Sequence, residues 1–336
     1  MRPYRPKTRR AAGLLLCLLF ALAATRPAPS QTSAPPPQPP AGRAVNVTLT
    51  AVDKQGKFVT TLKAEDLRVE EDGAERAVTA LERRDALPLL LAFGIDNSAS
   101  QERVLDAVKM AAAELVKSVM RPGTDYAAVF SFTNEATLEQ GLTADTARVL
   151  GAVSKIRVET AAGYVAGVLV GRTPPQTAVG ATALWDAVFA VSEDLMADSS
   201  EPGRRAIILI SDGVDTTSRM KPEEAIKSAL RAGAAVYAIG IGDDEYGGVD
   251  RDALRKLAER TGGRAFFPEK VKELPAVFAR LREELTSQYA LTFTSPKAKP
   301  GAFRKIKIKV VGAEARGRGV EVSYPFGHFA GHSPKD

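Results

Sequence analysis

An apolar run, "PLLLAFGI", stops at Asp96, and oxygen-bearing side chains follow at alternate positions: Asp96, Ser98 and Ser100 in "DNSAS". A second apolar run, "AIILIS", stops at Asp212, and a further hydroxyl, Thr182, sits in "VGATALWDAV". Carboxylates and hydroxyls are hard oxygen donors. They suit magnesium, which takes near-octahedral oxygen ligation and keeps waters where carboxylates are few, with manganese or calcium as substitutes. Alternate spacing matters because a turning loop presents every second side chain to one centre, and the small Ala99 keeps that loop compact. Such a shell leaves one or two positions open, and a carboxylate on a protein partner suits such a place. Taken alone, Asp-x-Ser-x-Ser is a weak pattern that reads first as a helix N-cap, since Asp and Ser are favoured there, and Thr182 alone reads as a cap of the helix that follows it.

Other chemistry is scarce. The histidines, His328 and His332, lie in a Gly/Ser/Pro-containing tail, which argues against a Ser-His-Asp triad or a histidine zinc site in the folded body. The one cysteine, Cys17, lies in the amino-terminal apolar segment, so the mature chain should have no disulfide or thiol chemistry. Gly240-Ile241-Gly242, followed by Asp243, Asp244 and Glu245, lacks G-x-G-x-x-G and reads as a solvated acidic loop. Asn46-Val47-Thr48 has the form of a glycosylation sequon but falls in a predicted strand. Trp185 reads as core, and Asp186 as a supporting or surface residue.

The oxygens need a scaffold that gathers them. From Leu87 onward, strand-like apolar runs alternate with helix-like segments. "LPLLLAFGI", "YAAVFSF", "RRAIILISDG", "AAVYAIGIG" and "RAFFP" read as strands, and a last helix carries Leu274, Val277, Phe278, Leu281 and Leu285. Residues 157–180 read as a surface excursion. This alternation predicts an α/β fold with a doubly wound, mostly parallel sheet. In the order 3-2-1-4-5-6, the strands ending at Asp96 and Asp212 are neighbours where the order reverses, and ligands bind at that edge.

Both flanks have a β texture. "AVNVTLTAV" alternates, Asp72-Gly73 is a hairpin signal, and "FRKIKIKVV" alternates apolar residues with lysines that form a wet face. The segments 44–86 and 287–326 are each too small to fold comfortably alone, so one β module built from both chain ends is expected, with the α/β domain, 87–286, inserted in it. Residues 327–336 read as a flexible tail.

The chain has 336 residues, 45% of them hydrophobic, and a formal net charge of +6. Arg2, Arg5, Lys7, Arg9, Arg10 and Arg26 lie in the first thirty residues, which contain no acid, so the rest is close to neutral and gives no electrostatic case for nucleic-acid binding. Those residues, with "AAGLLLCLLFALAA" behind the basic start, form a predicted Sec-type signal peptide over 1–30, with cleavage after Ala23, Ala24 or Ser30. The apolar segment is short for a membrane span, and an uncleaved anchor is the alternative. Arg9-Arg10 lacks the apolar followers of a twin-arginine signal. Residues 31–43 are a Pro-rich linker. The expected location is therefore secreted or periplasmic, with no membrane span after cleavage.

"DNSAS", "GATALWDA" and "ILISDG" resemble the three segments of the metal-ion-dependent adhesion site of von Willebrand factor type A domains. The resemblance covers roughly 87–286, and the flanks resemble a secreted bacterial family common in acidobacteria. It implies a Rossmann-like domain, metal-dependent binding of a protein ligand and no catalysis, with the metal positions at Asp96, Ser98, Ser100, Thr182 and Asp212. Ala99 departs from the glycine of many members. Two other classes compete. A phosphatase-like metal-dependent hydrolase would carry a second acid two residues after Asp96, where this chain has Ser98. A structural module would carry an inactive metal site.

Overall fold

The computed structural model describes residues 42–159, 164–165, 168–169, 181–242 and 248–331. The predicted signal, nearly all of the linker, the acidic residues Asp243, Asp244 and Glu245, His332 and most of the 157–180 excursion lie outside the described residues.

Four strands come first: β1 (Arg43–Val52), β2 (Leu67–Glu71), β3 (Ala74–Arg76) and β4 (Val78–Arg83). The α/β part runs through β5 (Leu89–Asp96), α1 (Leu105–Val119), β6 (Tyr126–Phe132), β7 (Ala136–Thr143), α2 (Thr146–Lys155) and a ribbon of β8 (Tyr164–Val165) with β9 (Val168–Leu169). It continues through α3 (Leu184–Ala190), β10 (Arg204–Ser211), α4 (Pro222–Ala232), β11 (Ala234–Gly240), α5 (Arg251–Thr261), β12 (Ala265–Phe266) and α6 (Leu274–Thr286). Then follow β13 (Tyr289–Ser295), β14 (Phe303–Val310), α7 (Ala313–Gly317), β15 (Glu321–Ser323) and β16 (Gly327–Phe329).

β5 and β10 are buried along their whole length, as near-continuous apolar strands covered on both faces must be. They pair in parallel at the centre of a sheet ordered β12-β11-β10-β5-β6-β7. One face packs on α1, α2 and α6 through Phe93, Leu115, Val153 and Leu281. The other packs on α3, α4 and α5 through Phe130, Val188, Ile226 and Leu257. The domain is therefore α/β and doubly wound. β7 is an addition to the sequence reading, which placed no strand between "YAAVFSF" and the α2 helix. It runs antiparallel at the sheet edge, its first four residues are exposed, and Leu138 points to solvent, so it carries neither an apolar run nor a buried face to signal it.

The flanking strands interleave. β1 pairs antiparallel with β13 and β2 with β14, giving two four-stranded sheets, β15-β1-β13-β4 and β16-β14-β2-β3. Their shared core contains Leu49, Val69, Leu291, Phe293 and Ile308. The α/β domain is thus inserted in a β module built from both chain ends. Asp72 and Gly73 both have positive φ (49° and 82°), as a tight two-residue hairpin turn between β2 and β3 requires.

The tail prediction needs correcting. Gly327–Phe329 forms β16 on β14, and Phe329 packs edge-on against Phe303. His328 lies in the folded body with Nε2 2.8 Å from Glu71 Oε1. Three residues with one glycine are too short to show strand periodicity, and side-chain contacts hold them. Glu71 is fully buried. It accepts the Ser295 hydroxyl (2.6 Å), Arg76 Nε (2.8 Å) and Arg304 Nη2 (3.1 Å), so one carboxylate ties β3, β13, β14 and β16 together. Burial opposes its charge, but the bonds from Ser295, His328 and Arg76 and the charge of Arg304 outweigh burial and hold its pKa below the usual glutamate range.

Removing one member of such a buried group costs about 3 kcal/mol or more, because the remaining charges lose their partner. Glu71→Leu should lower the unfolding free energy obtained from urea titration by that amount. In the wild type the contribution is complete above the unfolded glutamate value of about 4.3 and disappears as the pH falls through the depressed folded value. Equal acid sensitivity of Glu71→Leu and wild type would contradict this assignment.

Candidate metal centre

Because β5 and β10 end side by side, Asp96 and Asp212 emerge together at the carboxyl edge of the sheet, with only 1% and 2% of their surfaces exposed. Each carboxylate is held at both oxygens. Asp96 Oδ1 accepts the Ser98 backbone N–H (3.0 Å) and Oδ2 accepts the Ser211 hydroxyl (2.6 Å). Asp212 Oδ1 accepts the Val214 N–H (3.0 Å), while Oδ2 accepts the Ser100 hydroxyl (2.6 Å) and Gln101 Nε2 (3.1 Å). The Ser98 and Ser100 hydroxyls are 3.0 Å apart. Four of the five predicted residues therefore form one group.

Thr182 reaches the same edge by its backbone. Its N–H donates to Thr216 Oγ1 (2.8 Å), and its carbonyl accepts the N–H groups of Thr216 (2.9 Å) and Thr217 (3.2 Å), which binds it to the loop after Asp212. Among the described residues, no hydrogen bond joins its hydroxyl to the other four.

The capping alternative fails on geometry. Ser98 makes no side-chain cap bond to the 3-10 turn Ala99–Gln101, and α1 starts later, behind Val104. Thr182 does not cap α3 either. The Leu184 N–H goes to Asp215 Oδ1 (2.9 Å) and the Trp185 N–H to Ser218 Oγ (3.0 Å). With capping assigned elsewhere, the hydroxyls of Ser98 and Ser100 face each other and the carboxylates. Asp186 accepts the N–H groups of Arg219 and Met220, so it clamps the loop beyond Asp212. Trp185 packs in the core.

Two residues of this centre went unnoticed in the sequence. Ser211 orients Asp96, and its own hydroxyl accepts the Gly213 N–H (2.9 Å). Gln101 holds Asp212. A polar residue at the last position of a buried strand was the available signal for Ser211. Gln101 gave none, because a glutamine at the start of a helical segment is ordinary.

The family model of the von Willebrand factor type A domain matches residues 170–280. The chain carries a von Willebrand factor type A domain. The matched span includes Thr182 and Asp212 and begins after the "DNSAS" loop. No curated protein matches the chain. Among solved structures, proximal thread matrix protein 1 from the mussel byssus is similar at 18% identity, covering 64% of this chain and 51% of its own, with a TM-score of 0.49. This chain thus spans about half the length of that protein. The same mussel protein has been solved with a zinc-occupied MIDAS motif (19% identity, 63% of this chain and 48% of that one, TM-score 0.48). A von Willebrand factor type A protein from Catenulispora acidiphila matches at 14% identity, covering 80% of this chain and 75% of its own, with a TM-score of 0.47.

In this von Willebrand factor type A domain the electrostatics ask for a cation. Burial and the nearby charge of Asp212 push the Asp96 pKa up to about 7, against the opposing pull of its bonds from Ser211 and Ser98. Among the described residues, no three His, Cys, Asp or Glu side chains gather, so the donors here are two carboxylates and hydroxyl groups. One hard divalent cation fits that set, since it balances the two carboxylates and takes hydroxyls as neutral ligands.

The raised pKa sets the pH dependence. A cation needs the Asp96 carboxylate, so affinity should climb as the pH rises towards about 7 and level off above it, as a calorimetric pH series would record. Without a cation the folded state keeps a proton that the unfolded state releases near 3.8, so stability should fall as the pH rises between these values. Asp96→Asn should remove that slope in melting curves and abolish cation binding. A pH-independent affinity would contradict the assignment.

Proposed function

We propose that the protein is an exported binding protein whose von Willebrand factor type A domain holds one divalent cation and uses it to take an acidic side chain of a partner protein. The observation that carries this reading is the buried pair Asp96 and Asp212, ringed by the hydroxyls of Ser98, Ser100 and Ser211. Asp96, Ser98, Ser100, Thr182 and Asp212 would hold the ion. The cation supplies a Lewis-acidic centre to which a carboxylate oxygen can bind. The chain's own part is to orient the two carboxylates and to leave an oxygen position open. Magnesium is the proposed ion, with manganese and calcium as substitutes.

The donor set also supports binding over turnover. Ser98 stands where a phosphatase-like hydrolase would carry its second acid, and among the described residues no further carboxylate bonds to the group. Export rests on the amino-terminal sequence, with its acid-free basic start and short apolar segment, and it places the mature protein in the periplasm or outside the cell. Among the described residues, no helix is long and apolar enough to cross a membrane.

Calorimetry with magnesium and manganese, run on wild type and Asp212→Ala, tests the proposal. Wild type should bind saturably and the variant should not. Adding acetate or an acidic peptide should tighten wild-type binding, and a chelator should release the peptide. Silence of a folded wild type with both metal and peptide would sink the reading.

A further inference from the structure

β10 opens on two arginines, Arg204 and Arg205, and both are buried, with 5% and 6% of their surfaces exposed. A buried arginine is normally matched by a carboxylate. Arg204 has only neutral partners among the described residues. Its Nη1 donates to the Leu285 carbonyl and to Gln288 Oε1 (3.0 Å), and its Nη2 to the Leu87 carbonyl (3.2 Å). Gln288 Nε2 is in turn committed to the Tyr237 hydroxyl (3.1 Å). Arg204 Nε is buried and has no hydrogen-bond partner among the described residues. Burial and the charge of Arg121 push the Arg204 pKa down to about 10, so the surroundings oppose its positive charge.

Arg204 also lines a cavity of about 100 Å³, where the starts of β10 and β11 meet β1 and β16. This is the amino edge of the central sheet. The eight residues of β10 separate it from the Asp96 and Asp212 edge, about 25 Å at the rise of a strand. Arg84, Arg205 and His328 line the cavity as well, and no Asp or Glu does among the described residues. A role in tethering α6 accounts for part of this, because a cation beside the last turn of a helix is favoured by the helix dipole. It leaves Nε unmatched, and it does not account for a cavity walled by several basic side chains and no acid. A space of this size holds about three waters at their share of liquid volume, or one small oxyanion in their place. Guanidinium groups match the oxygens of carboxylates and phosphates in geometry and charge.

We infer that this cavity is a binding site for a small oxyanion of phosphate or carboxylate type, held by Arg204 with Arg84 and Arg205 in its wall. The anion joins the start of β10, and through Arg204 the end of α6, to the strands of the β module that close the cavity. The site is separate from the cation centre and does not depend on the function proposed for it.

The test is calorimetry on the protein freed of divalent cations, titrated with inorganic phosphate and separately with acetate, at constant ionic strength set with chloride. Wild type should take up one equivalent of phosphate, of acetate or of each, and its melting temperature should rise with the ion that binds. Uptake of phosphate alone assigns a phosphate-type ligand, and uptake of acetate alone a carboxylate. Arg204→Gln keeps a donor and removes the charge, and its affinity for the bound ion should fall about tenfold or more. Arg84→Gln should shift in the same direction, and it decides the matter should Arg204→Gln fail to fold. Arg148→Gln, which changes an exposed arginine of α2 outside the cavity wall, should bind as wild type does. A purely structural Arg204 would lower the melting temperature in chloride and leave the increment due to the ion unchanged. That result, or no uptake of either ion by wild type, would overturn the inference while leaving the cation centre untouched.

Discussion

Two like charges, Asp96 and Asp212, are kept together in a nearly dry site, and much of the surrounding structure exists to hold them there. Left alone, such a pair would swing apart or take up a proton. Swinging is blocked because each acid sits at the end of a strand buried along its whole length, and the two strands are hydrogen-bonded to each other. Protonation is opposed by donors on every carboxylate oxygen, from Ser98, Ser100, Gln101, Ser211 and Val214. The competition is close for Asp96, and the proposed divalent cation would resolve it by supplying the missing positive charge.

The helices contribute indirectly. They cover both faces of the sheet so that β5 and β10 can be apolar throughout, and the apolar strands in turn allow no adjustment of register. Register decides the site. With Ile210 opposite Ile95, Asp96 faces Ser211 across the strand pair, and Asp212 is the first residue beyond it. A slip of one residue would exchange acid for serine and turn the acid away.

What could be read from the residues follows from how strongly each feature is written in side-chain type. β5 and β10 announce themselves as apolar runs ending in Asp, and the neighbour relation of their ends follows from the topology that such runs imply. Asp72-Gly73 declares its hairpin because few other pairs accept two positive φ values. β7 does not declare itself, since an edge strand with solvent on its exposed half needs no apolar pattern. β16 is held by Glu71 and Phe303, contacts made across more than two hundred residues of chain in the first case. Ser211 and Gln101 belong to the same class. Their identity is common, and their role appears only when the acid each one holds is known.

The placement of the α/β domain inside the β module has a consequence for the order of assembly. β1 finds its partner β13 only after the whole inserted domain has been made, a closure over nearly the full length of the folded chain. The entropy of closing such a loop is recovered most cheaply if the inserted domain collapses first, since its compaction draws the two ends of the module together. Until then β1 to β4 wait with open edges and half a core. The last strands to be made, β13 to β16, convert that exposed half-module into a closed one.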